Sequence, residues 1–250
     1  MNTEAAGEPQ SESRVSALGT LDRALDCFDA YLFDIDGTLI QCTDAIHYFA
    51  FCDALEKLSG RPLNLDGVTA HGNTDVGILR DALTQAGIPE SDWRGHLREA
   101  CRGMGDFVEQ RAGQLCANLL PQVRETLAHL RTRGAVLGVA TGNLERIGRL
   151  KLQHAGLLEF FQFAGWSDEY EYRADVFRNA VAKARAVTKP DATLCVVGDT
   201  PADIRAAHDN GLPVIAVSTG IYSFEQLQQE RPERCIQSFA ELLADCSPRA

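Results

Sequence analysis

The sequence predicts an α/β protein, a parallel sheet with helices on both faces, interrupted after its first strand by a helical block. Three observations carry this reading. After Pro121, short apolar runs alternate with segments of helical periodicity, the pattern of strand–helix units that build a parallel sheet. A single apolar run precedes a long helical stretch, 41–120, that holds no convincing strand. Acid and hydroxyl residues recur just past the apolar runs, at the strand ends where ligands of open α/β sheets bind.

The elements follow in order. Residues 1–22 are polar, without the apolar core of a signal peptide, and are expected to be a disordered tail. Residues 29–35 form a buried strand that ends in the turn Asp36-Gly37-Thr38. Residues 44–59 carry apolar side chains at helical spacing and stop at Gly60-Arg61-Pro62. Residues 74–86 repeat that pattern up to Gly87, and 92–119 continue it with a break expected at Gly103-Met104-Gly105. Helices are then predicted over 123–133, 144–155, 176–187 and 201–210, and strands over 134–140, 160–165, 193–197 and 213–217. The expected organisation is therefore a core from 23–40 and 121–250, with 41–120 as a helical insert hanging over the end of the first strand.

Composition narrows the function. The 250 residues carry a formal charge of −11 and no basic tract, which disfavours a nucleic-acid or membrane-surface role. No run of about 18 apolar residues predicts a membrane span. The eight cysteines include no C-x-x-C pair, and several sit in apolar patterns; reduced, buried thiols and a cytoplasmic location are expected.

The chemistry gathers at predicted strand ends. Asp34 and Asp36 stand two apart, so the pleat sends both carboxylates the same way. Such a pair suits a hard divalent cation, or a nucleophile beside a proton carrier; a capped turn is the plainer alternative. Thr38 offers a hydroxyl and an N–H to a phosphate. Thr141-Gly142-Asn143 opens a helix, where a hydroxyl and free N–H groups cradle an anion, or where Asn143 simply caps the helix. Asp199 and Asp203 lie four apart at the start of another helix, where acids also favour the helix dipole. Together these residues put oxygen ligands on one rim. Carboxylates without lysine partners need a cation, and an oxygen-only set with no His or Cys points to Mg2+.

The stretches Phe33-Asp-Ile-Asp-Gly-Thr-Leu39, Ala140-Thr-Gly-Asn143 and Val197-Gly-Asp-Thr-Pro-Ala-Asp203 resemble the haloacid dehalogenase-like hydrolase superfamily, over about residues 29–230. The resemblance implies a doubly wound, Rossmann-like α/β core with a mobile helical cap inserted after the first motif. It implies Asp34 as the nucleophile of an aspartyl-phosphate and Asp36 as general acid, then base, with its main-chain carbonyl on Mg2+. It further implies Asp199 as a metal ligand, Asp203 as a second ligand or support, and Thr141 as a holder of phosphoryl oxygens, with Gly142 and Asn143 beside it. Arg173 stands where the family carries a lysine, and the two cations differ in shape and hydration. Lys183 and Lys189 are less well placed.

Within the insert, His71-Gly-Asn-Thr-Asp75 resembles a turn in the caps of phosphoglycolate-phosphatase-like members; Thr74 is a substrate-binding candidate there, or a helix cap. His47 lies where sugar-phosphate mutases of this superfamily carry a histidine, or is simply packed. Arg80, Arg94 and Arg98 could reach a second anionic group, and Trp93 and Trp166 are expected in the core. The expected activity is hydrolysis of a small phosphorylated metabolite. A phosphosugar mutase and a member that binds phosphate compounds without turnover are the alternatives.

Overall fold

The apolar run after Asp29 alternates its side chains between two faces, and both faces are covered. In the computed structural model, which describes residues 27–245, strand β1 (Ala30–Phe33) is buried at every position. Tyr31 and Phe33 enter one core cluster, and Ala30 and Leu32 enter another on the opposite face. A strand apolar on both sides is stable only in the middle of a sheet with helices above and below.

The chain then forms β2 (Ile40–Cys42), α1 (Ile46–Ser59), α2 (Asp75–Gln85), α3 (Glu90–Trp93), α4 (Leu97–Glu109) and β3 (Ala117–Leu119). It continues with α5 (Val123–Thr132), β4 (Val136–Ala140), α6 (Glu145–His154), β5 (Phe163–Gly165) and α7 (Arg173–Val187). The last elements are β6 (Leu194–Gly198), α8 (Pro201–Asp209), β7 (Val214–Val217), α9 (Phe224–Gln229), β8 (Arg234–Ile236) and α10 (Phe239–Asp245). The large sheet runs β5-β4-β1-β6-β7-β8 and every pairing in it is parallel. That order is doubly wound, with the chain reversing its direction of build across β1.

Register positions the site. Phe33 is aligned with Val139 on one side and Val197 on the other. Asp34, Thr141 and Asp199 therefore leave the sheet close together, and the Asp34 N–H still reaches the Val197 carbonyl at 3.0 Å. On one face the sheet packs against Val123, Leu127, Leu152 and Leu242. On the other it packs against Val176, Phe177, Ile204 and Leu227.

The helical block has its own apolar cluster. Phe51, Leu55, Leu79, Leu83, Trp93, Met104 and Val108 pack together and take in Ile147 of α6 and its cap residue Leu144. Two expectations for this region need correction. The block is bounded by strands, because β2 and β3 pair antiparallel where the chain leaves and re-enters the core. Three-residue strands are too short to show an alternation. Helix α4 also runs unbroken through Gly103 and Gly105. Each glycine costs about 1 kcal/mol against alanine. The burial of Ala100, Met104 and Val108 on one face outweighs that cost. Elements α9, β8 and α10 lie beyond the last predicted strand; at three to seven residues each they are too brief for a periodic signal.

The predicted tail, 1–22, and Cys246 lie outside the described residues. No disulfide links the described cysteines. No described helix is long and apolar enough to cross a membrane.

Candidate active site

Asp34 follows β1, Asp199 follows β6, and Asp203 sits in the first turn of α8. All three are buried, and they offer carboxylate oxygens within 4.8 Å of one another. Local structure holds each in place. Gly37, at φ +82°, turns the chain where a Cβ would lie 2.3 Å from Asp199 Oδ2. The Thr38 hydroxyl donates to Asp199 Oδ1 at 2.9 Å. Asp203 Oδ2 accepts from the Thr200 N–H and hydroxyl, closing a capping box at the start of α8.

Arg173, the first residue of α7, reaches into this group. Its Nη2 lies 2.7 Å from Asp34 Oδ1 and 2.6 Å from Asp203 Oδ1, and its Nε donates to Asp203 Oδ1 at 2.8 Å. Burial would lower the guanidinium's pKa, but Asp203 and Asp34 outweigh it and raise it. Burial pushes Asp34 up to about 6 despite Arg173, with Asp203 and Asp36 adding to the rise. Burial, with Asp34 and Asp203, raises Asp199 well above the ordinary range. Three buried carboxylates against one guanidinium leave two negative charges when all are ionised. An all-oxygen donor set of that charge fits a hard divalent ion such as Mg2+. Asp34, Asp199 and Asp203 are the side chains that would hold it.

Asp36 belongs to a second group. Its Oδ2 accepts from Lys151 Nζ at 2.7 Å and from the Asn143 amide at 2.8 Å. Lys151 also donates to Asn143 Oδ1 at 2.8 Å and lies 3.2 Å from His47 Nδ1. His47 Nε2 in turn is 3.2 Å from Asp75 Oδ2, and its ring stacks on Phe51. Burial would raise Asp36, but Lys151, Asn143 and His47 outweigh it and hold the carboxyl at about 2. Lys151 is raised: burial opposes its charge and Asp36 outweighs that.

A cavity of about 250 Å³ joins the two groups. Asp34, Asp36, Thr141, Gly142, Asn143, Lys151, Arg173 and Asp199 line it from the core. Gln41, Cys42, His47, Phe51, His71 and Ile78 line it from the insert side. Gly142 allows a close approach of the two halves, since a Cβ there would lie 2.1 Å from the Asn73 carbonyl oxygen.

Residues 31–217 match the family model described as haloacid dehalogenase-like hydrolase, well over half of the chain. The chain belongs to the haloacid dehalogenase-like hydrolase family. This hydrolase is 29% identical over 215 residues to "Probable phosphatase IndB" of Dickeya dadantii, covering 85% of this chain and 90% of that protein. It is 29% identical over 193 residues to a phosphoglycolate phosphatase of Rhodobacter capsulatus, covering 76% of this chain and 84% of that one. The crystal structure of a predicted phosphatase from Clostridium acetobutylicum superposes with a TM-score of 0.65 at 21% identity, covering 86% and 96% of the two chains. At that identity the superposition speaks for the fold.

Several sequence-based expectations for the hydrolase change here. The carboxylates do have cationic partners: Arg173 pairs with Asp34 and Asp203, and Lys151 pairs with Asp36. The side chain of Asp36 points to Lys151 and stands apart from the Asp34–Asp199–Asp203 group. Asn143 is not the cap of α6; Leu144 holds that position, and the Asn143 amide serves Asp36 and Thr141. The N–H groups of Leu144 and Glu145 are not open to an anion, because Asp75 and Asp168 accept from them at 2.8 Å. Thr38 lies fully buried against Asp199 and outside the cavity lining. Thr74 is the cap of α2, accepting from the Gly77 N–H and donating to the Glu171 carbonyl, and it too is absent from the lining.

The insert arginines are engaged elsewhere. Arg80 and Arg94 pair with Glu171, and Arg98 with Glu169. Lys183 donates to the Ala164 carbonyl and Lys189 pairs with Asp29. Trp93 and Trp166 are buried in apolar clusters, as expected.

Lys151 is the site residue that sequence reasoning missed. Its signal was present: it sits four residues after Ile147, on the buried face of α6 with Gly148 and Leu152. A lysine on an apolar helix face needs a buried anion.

Proposed function

We propose that this hydrolase is a Mg2+-dependent phosphatase that moves the phosphoryl group of a small metabolite to Asp34 and then to water. The observation that carries the reading is the separation of two carboxylates two residues apart. Asp34 stands among Asp199, Asp203 and Arg173, while Asp36 stands with Lys151 and Asn143. One environment suits a nucleophile facing a phosphoryl group, and the other a proton carrier.

In the first half-reaction an Asp34 oxygen bonds to phosphorus as the ester oxygen leaves and takes a proton from the acid form of Asp36, which is ionised in the free site. In the second, water attacks phosphorus, the bond to Asp34 breaks, and Asp36 takes the proton of the water. Arg173, with a guanidinium nitrogen 2.7 Å from Asp34, offsets charge on the transferred oxygens. Thr141 and Gly142 line the phosphate end of the cavity, and His47 lines its insert side. Mg2+, held by Asp34, Asp199 and Asp203, would supply electrostatic stabilisation of phosphoryl charge and orientation of the reacting oxygens.

A cavity of about 250 Å³ suits a small phosphate ester. The phosphatase names of the two relatives support the same class.

The test is phosphate release from 4-nitrophenyl phosphate with Mg2+ present. Asp34→Asn is expected to reduce release to background while the chain stays folded. Turnover retained in that variant removes the covalent route.

A further inference from the structure

Lys151 is nine-tenths or more buried, yet no part of the phosphoryl-transfer scheme above uses it. Its ammonium makes three polar contacts within hydrogen-bond distance. Two belong to the core: Asp36 Oδ2 at 2.7 Å and Asn143 Oδ1 at 2.8 Å. The third is His47 Nδ1 at 3.2 Å, from α1 of the insert, itself tied to Asp75 of α2. Asn143 closes a ring by donating its amide N–H to the same Asp36 oxygen at 2.8 Å.

The ring has a directional consequence. The ammonium and the amide both contact Oδ2, so these two groups grip the carboxylate through one oxygen and leave Oδ1 outside their contacts, with the Cys42 thiol also against Asp36. The Asp36 side chain is 38% exposed and lines the cavity. A carboxylate fixed at one oxygen by a buried cation keeps a single orientation of the other, which proton transfer requires. A mere counter-charge would not need Asn143 and His47 to orient it as well.

We propose that Lys151 is a positioning residue of the second half-reaction, holding Asp36 where it takes the proton of the water that attacks the aspartyl-phosphate. In that step the water oxygen bonds to phosphorus, the phosphorus–Asp34 bond breaks with its electron pair returning to Asp34, and the proton goes to Asp36. Lys151 touches neither water nor phosphorus and acts through Asp36. Because its third contact comes from the insert, the placement of Asp36 depends on the insert being seated. This inference rests on the phosphatase reading above.

The experiment is rapid mixing of the full chain with 4-nitrophenyl phosphate and Mg2+, whose leaving group departs without a proton. Nitrophenol release in the first turnover reports formation of the phosphoenzyme; steady-state release and acid-quenched phosphoprotein report its hydrolysis. For Lys151→Met, the first-turnover rate should stay within about 3-fold while hydrolysis slows on the order of 10-fold or more, so phosphoenzyme accumulates. Equal loss in both phases, or no accumulation, overturns the proposal.

Lys151→Met orphans the charge of Asp36, so the change is also made in an Asp36→Asn background, which removes both charges together. If Lys151 acts through Asp36, the double variant hydrolyses its phosphoenzyme no more slowly than Asp36→Asn alone. A further loss in the double variant assigns Lys151 a general packing role and sinks the inference. Failure of the underlying reading looks different: Asp34→Asn would keep turnover, and no phosphoenzyme would form in the unaltered chain.

Discussion

A guanidinium at position 173 meets two carboxylates that an ammonium would have to choose between. Nε and Nη2 of Arg173 reach Asp203, and Nη2 also reaches Asp34, from a side chain almost wholly removed from water. A lysine is a point charge on a flexible stem and cannot span the two acids with a fixed fork. Arg173→Lys should therefore lower phosphate release on the order of 10-fold while Asp34→Asn abolishes it, measured with one aryl phosphate under one set of conditions. Recovery of full activity in Arg173→Lys would mean that only charge matters at this position. Arg173 was legible in the sequence because it follows a loop and opens a helix at a position where the family carries a cation. Lys151 carried only a partial signal, its place on an apolar helix face, because its partner Asp36 lies 115 residues away and only the folded core brings them together.

At the scale of elements, β1 and β6 are joined at their starts by a side chain. Asp29 Oδ2 accepts from the Thr193 N–H at 2.7 Å and from its hydroxyl at 2.8 Å, and Oδ1 pairs with Lys189 at 3.0 Å. The backbone N–H of Thr193, then Lys189, then the hydroxyl hold the Asp29 carboxyl at about 2. A depressed carboxyl stabilises the fold above its unfolded value near 4, and that stability is lost as pH falls through about 2. Asp29→Asn should thus lower stability at pH 7 by about 1 kcal/mol, with the difference shrinking below about pH 4. Denaturant melts of both chains at pH 7 and pH 3 check this; an equal difference at both would detach the effect from ionisation. Helices at this scale were well predicted where their apolar stripe was long, as in α1, α2 and α7. The pairing of β2 with β3 was not predictable, since three-residue strands owe their existence to a partner 77 residues away in Asn118, opposite Gln41.

For the whole molecule, the acid cluster should make stability depend on pH and on a cation. Asp34, raised to about 6, is stabilising in its protonated form; that contribution is fully present below about 4 and is lost as pH rises through 6. A divalent ion bound to the folded cluster would offset this loss and raise the melting temperature by mass action. Mg2+ in place of chelator should raise the melting temperature by several degrees at pH 7 and by less at pH 5. Asp199→Asn should remove most of that increment, and an increment of unchanged size in that variant would exclude Asp199 as a ligand.

The sequence alone determined the α/β class, the helical insertion after the first strand and the acids at the strand ends, because apolar periodicity and spacing two apart are local properties. It also carried the family, through motifs whose residues are close neighbours in the chain. Only the tertiary structure decided which acids stand close enough to share a cation and which is drawn away to Lys151, which hydroxyls are spent on Asp199 and on capping α2, and which helix N–H groups Asp75 and Asp168 have already filled. Those outcomes depend on distances between side chains far apart in sequence, and in a buried site a few ångströms decide whether a charge is paired.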